Sequence, residues 1–133
     1  MSKLNDIFYP EPTKTVKVWK YRSGLKLKLS KIEWNTHISG LADIYYCGYV
    51  TIKKGNPLYQ LKPMHSDIGF NVHGGITYAQ KESKGTWTLG WDSAHGVDYS
   101  FHQSFKETVK LAEDILRKSK QITQSKRRNR NVR

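Results

Sequence analysis

The stretch TVKVWKYRSGLKLKLSKIEW, residues 15–34, limits the fold more than any other. Leu25, Leu27 and Leu29 alternate strictly with Lys26 and Lys28. A period of two puts leucines on one face of a strand and lysines on the other. Val16 and Val18 alternate in the same way with Lys17 and Trp19. RSG separates the two runs, and Gly24 is free to take the positive φ of a tight turn. The reading is a β-hairpin with one dry and one wet face. The wet lysine face is either simply solvated or offered to an acidic partner.

A hairpin needs more sheet or a helix to cover its apolar face. IYYCGYVTI, residues 44–52, supplies a further strand, with Gly48 marking a bulge or a close backbone approach. FNV and ITYA read as short strands around a Gly74–Gly75 turn, and TWTLGW as another strand. Ser104 and Glu107 have capping-box spacing. Phe105, Val109, Ala112 and Leu116, with Leu111 and Ile115 beside them, form a stripe of helical period over 105–119. The expected class is α+β: a twisted antiparallel sheet, including the N-terminal hairpin, packed on one long C-terminal helix. Residues 1–123 form the single domain, and 124–133 a disordered, flexible basic tail.

The chain of 133 residues carries a net charge of +12. From Ile115 onward there are 8 basic residues and no acidic one, against 15 and 11 in residues 1–114. A basic end of this kind attracts polyanions by counterion release, or serves only as a soluble extension. Lys126, Arg127, Arg128, Arg130 and Arg133 are the candidate nucleic-acid contacts. The single cysteine, Cys47, excludes an internal disulfide framework and suits a reducing interior. It has no basic neighbour in sequence to activate it, which favours a small core residue over a nucleophile. The opening MSKLNDIFYPEP has no apolar run of signal-peptide length, and no stretch reaches membrane-spanning length. The expectation is a cytoplasmic protein without a membrane partner.

Two segments pair histidine with glycine: FNVHGGITY, residues 70–78, and GWDSAHGVDY, residues 90–99. His73, Asp92, His95 and Asp98 are the candidate catalytic set. One histidine with two carboxylates suits a divalent metal, and an imidazole beside a carboxylate suits acid–base work. Gly74 and Gly75 would offer backbone N–H groups to an anion such as the phosphate of a nucleotide-like ligand. Thr77, Tyr46, Tyr78 and Trp91 would add hydroxyls and a stacking wall. Turn capping by Asp92 and Asp98, and a hairpin role for His73, explain the same residues without chemistry. No strong metal or nucleotide-binding motif decides between these readings.

The blocks CGYVTIKKGNPLY, VHGGITY and WTLGWDSAHGVD, in that order, resemble a group of small uncharacterised proteins encoded by bacteriophages and prophage-bearing bacteria. The resemblance covers residues 46–116 and leaves out the N-terminal hairpin and the basic tail. That group often has phenylalanine where this chain has Trp91, and cysteine where it has Ser93, so a thiolate at position 93 is excluded. The resemblance implies an accessory protein inside an infected bacterium, and assigns no catalytic roles. Two function classes follow. One is a binder of a host protein, of nucleic acid or of a phosphate-bearing ligand, in the host cytoplasm, that opposes host machinery or defence. The other is a metal- or His/Asp-assisted hydrolase of a phosphate ester or nucleotide.

Overall fold

A computed structural model gives the structure, which describes residues 13–33, 44–62, 69–72, 75–93 and 100–131, with side chains through residue 127. The strands are β1 (Thr13–Lys20), β2 (Lys26–Glu33), β3 (Ile44–Lys53), β4 (Tyr78–Gln80) and β5 (Thr86–Asp92), followed by helix α1 (Phe101–Asn131). They form one sheet in the order β1-β2-β3-β5-β4, antiparallel throughout. The class is α+β, as the alternation and the terminal helical stripe require.

The β1–β2 hairpin closes through Tyr21 N–H donating to the Leu25 carbonyl at 2.8 Å. Ser23 (φ 60°) and Gly24 (φ 74°) make the reversal. Glycine adopts that region freely, whereas serine does so at a cost of about 1 kcal/mol. The alternating leucines face inward, with Leu27 and Leu29 fully buried. The valines do not join them. The register steps from Thr15↔Ser30 to Lys17↔Leu29, so one residue bulges and the faces of β1 exchange. The hairpin register, with Lys20 opposite Lys26, sets Trp19 beside Leu27, where it stacks on Phe105 with ring centroids 4.8 Å apart. Val16 and Val18 are left 40% and 51% exposed. An indole buries far more surface than a valine, so this register favours the larger side chain.

The inner face of the sheet is built from cross-strand rows. Trp19, Leu27, Val50, Leu89 and Ala79 form one, and Leu29, Gly48 and Trp91 another. Leu111, Ala112 and Ile115 of α1 close the core from above. Contact is tightest at Gly48, where an added Cβ would collide with Thr108 Oγ1 and Trp91 Nε1. Trp91 Nε1 donates to Thr108 Oγ1 at 3.1 Å, and Thr108 donates to the Ser104 carbonyl at 2.9 Å. The glycine in β3 marks where the helix approaches the backbone.

The helix departs from expectation at both ends. Its cap is Ser100: Gln103 N–H donates to Ser100 Oγ at 3.1 Å, and Ser100 N–H to Gln103 Oε1 at 2.9 Å. Ser104 is instead fully buried under the sheet. At the other end α1 continues to Asn131, which corrects the disordered tail over 124–131. Residues 121–131 contain no glycine or proline and are rich in Gln, Lys and Arg, which favour helix, and cations suit the negative end of the helix dipole. Burial ends with half-buried Ile122 and Thr123, and residues 124–127 are exposed.

Candidate nucleic-acid interface and the Asp92 cluster

Alternation decides which predicted site residues meet. Asp92 lies opposite Cys47 on the outer face of the sheet. Thr77 Oγ1 donates to Asp92 Oδ2 at 2.8 Å, and Thr77 N–H to the Gly90 carbonyl at 2.9 Å. Tyr78, next in line, meets Tyr49 edge to face at 5.3 Å, and its hydroxyl donates to Glu82 Oε2 at 3.2 Å. Burial, then the Glu82 charge, raises the Tyr78 phenol above its ordinary value. The Lys28 ammonium lies 5.0 Å from the centre of the Tyr49 ring, whose edge runs against Gly90.

Trp91 and Tyr46 occupy the other face. Trp91 is 1% exposed and belongs to the core, which corrects its placement as a stacking wall. Tyr46 meets Phe101 edge-on at 6.3 Å, and its backbone is bracketed by Ser93, whose Oγ accepts from Tyr46 N–H at 3.1 Å and donates to Tyr46 O at 3.2 Å. Neighbouring strand residues point to opposite faces, so Trp91 and Asp92 cannot share one pocket wall. Gly75 (φ 73°) donates its N–H to the Val72 carbonyl at 2.9 Å, so that amide is committed to a turn and not offered to an anion. FNV is not a strand. His73, Gly74, His95, Asp98 and Arg133 lie outside the described residues.

Cys47 is buried beside this cluster. Desolvation, with the Asp92 charge assisting and a hydrogen bond to Tyr49 opposing, pushes its thiol up to about 12. It is therefore a protonated, inert thiol at neutral pH, as its sequence neighbours suggest. Among the described residues no three His, Cys, Asp or Glu side chains gather in a metal-binding group. The cluster there offers one carboxylate held by a hydroxyl, which fixes the end of β5.

A second region carries the charge. Lys20 pairs opposite Lys26, Lys26 opposite Thr51, and Lys53 opposite Thr86. Lys54 N–H donates to the Gly85 carbonyl at 2.9 Å. These pairings bring the turns after β1, β3 and β4 to one end of the sheet, with Lys20, Arg22, Lys26, Lys53, Lys54, Lys81 and Lys84 on or beside them. Among the described residues Glu82 is the one carboxylate on these turns, and it accepts from Tyr78. Lys20 and Lys26 face each other directly, an arrangement that costs stability in a sheet.

Helix α1 runs in the direction of β3: Phe101 is near Tyr46, Thr108 over Gly48, and Ser119 Oγ donates to Asn56 Oδ1 at 3.1 Å. At 1.5 Å per residue its 31 residues span about 46 Å, against about 33 Å for the 10 residues of β3. It therefore overhangs the same lysine-rich end. Arg117 and Lys118 pair with Asp114. Lys120, Lys126 and Arg127 are exposed and have no carboxylate partner among the described residues. Arg128 and Arg130 continue the helical backbone. Sequence reading found the helix charges; the turn lysines could be grouped only once strand directions were known. No described helix is long and apolar enough to cross a membrane. Comparison with protein-family models, curated proteins and solved structures finds no match.

Proposed function

We propose that this protein binds double-stranded nucleic acid through its basic end, the overhanging half of α1 entering a groove and the turn lysines meeting the flanking phosphates. The observation that carries this is the convergence of two independent basic elements, a helix without carboxylates after Asp114 and three lysine-bearing turns. An α-helix about 10–12 Å across fits a B-form major groove about 12 Å wide. Gln121 and Gln124 among the cations are residue types that pair with base edges. The bacteriophage-like sequence blocks add the setting: an accessory protein in the cytoplasm of an infected bacterium, competing for nucleic acid with host machinery.

The test is the salt dependence of binding to a duplex of about 20 base pairs. Replacing Lys126, Arg127, Arg128 and Arg130 with Gln keeps helix propensity and removes four cations. The log–log salt slope is expected to become shallower by about 3–4. An unchanged slope and affinity would overturn the proposal.

A further inference from the structure

The basic end carries a concave place. Between the β1–β2 turn and the end of β3 lies a cavity of about 270 Å³, lined by Ser23, Gly24, Thr51, Lys53, Lys54 and Asn56 among others. No carboxylate lines it. Two of the lining side chains are held by hydrogen bonds. Thr51 Oγ1 is 2.9 Å from Thr88 Oγ1 across the sheet. The Asn56 carbonyl oxygen accepts from Leu58 N–H at 2.8 Å and from Ser119 Oγ at 3.1 Å. Its oxygen is thus committed, and its amide N–H pair is the end left to donate. One wall is the turn in which Ser23 holds a positive φ that glycine would adopt at lower cost. The residues that line the cavity include two lysines, an asparagine and two hydroxyl-bearing side chains, and no carboxylate, a composition complementary to a compact, multiply charged oxyanion.

We propose that this cavity receives the terminal phosphate monoester of a nucleic-acid end. The inference rests on the duplex-binding reading and deepens it. A phosphodiester inside a continuous strand has chain on both sides, whereas a terminal phosphate has chain on one side only and meets less obstruction from the turn that walls the cavity. A chain end can insert, and its monoester carries more charge than a diester.

The experiment compares one duplex bearing 5′-phosphate, 3′-phosphate or hydroxyl ends. The protein is expected to bind one phosphorylated form at least fivefold more tightly than the hydroxyl form. K53Q/K54Q should bring that ratio to about one, while K81Q/K84Q, at the same end but outside the cavity, should weaken all three duplexes and keep the ratio. If the duplexes bind equally to the native protein, the cavity proposal is overturned and duplex binding stands. If none binds, inorganic phosphate is titrated while backbone NMR signals of Thr51 and Lys53 are followed. Saturable shifts there would keep the anion site and overturn duplex binding; unmoved signals would overturn both.

Discussion

The two halves of α1 are one unbroken helix built for opposite purposes. Up to Thr123 the helix is held from outside: Thr108 sits on Gly48, Leu111 and Ile115 are fully buried, and Asp114, only 2% exposed, accepts from Asn71 N–H at 3.2 Å. Beyond Thr123 the same element has exposed side chains and rests on intrinsic propensity, the dipole and continuation from a packed turn. Extending a helix is far easier than starting one, because nucleation has already been met by the folded half. A packed helix can therefore carry a charged rod that would not form alone.

The contrast yields graded predictions. The largest effect belongs to the tightest contact. Gly48→Ala should destabilise the fold by roughly 3 kcal/mol, the upper range of overpacking, read from the denaturant midpoint. A neutral result would mean that the helix can ride away from β3 and that the packed half is held elsewhere.

A middle effect comes from the buried thiol. Its folded value is raised to about 12, whereas an unfolded cysteine titrates near 8.5. Between those values the native state keeps a proton that the unfolded chain loses, so stability is fully present below about pH 8.5 and falls as pH rises. The native protein should lose stability between pH 8.5 and 10 more steeply than Cys47→Ala, by about 1.4 kcal/mol per pH unit at most. Parallel curves would show that Cys47 is reachable by water.

The smallest effect should lie in the overhang. K126Q/R127Q is expected to change stability by less than about 0.5 kcal/mol, as for exposed sites without partners. A loss above about 1 kcal/mol in the same denaturation measurement would erase the distinction between the halves.

Much of the fold could be read directly. Leu25, Leu27 and Leu29 occupy the face that alternation assigns them, and the terminal helix lies where its period places it. Val16 and Val18 misled because the turn sets Val18 opposite Lys28 and Val16 falls in a bulge, and nothing in their spacing announces either. The helical stripe was offset by about one residue: Ser104 and Thr108 are fully buried whereas Phe105 and Val109 are half-buried. Small residues face the sheet there because Gly48 and Trp91 admit nothing larger. The candidate site was legible in part. Asp92 and Thr77 do meet, but Trp91 shares no face with them, and proximity in sequence hid that parity. The turn lysines were visible as residues and invisible as a group, because only antiparallel pairing collects them at one end.

The bulge in β1 has a last consequence. Among the described residues this strand is a border of the sheet, with two exposed valines along it, the kind of rim on which copies of a chain template one another into aggregates. The extra residue breaks the hydrogen-bonding rhythm that a stacking copy would need, and Lys14, Lys17 and Lys20 bring like charges together at every attempted match. An irregularity at Val16 thus keeps crowded molecules apart.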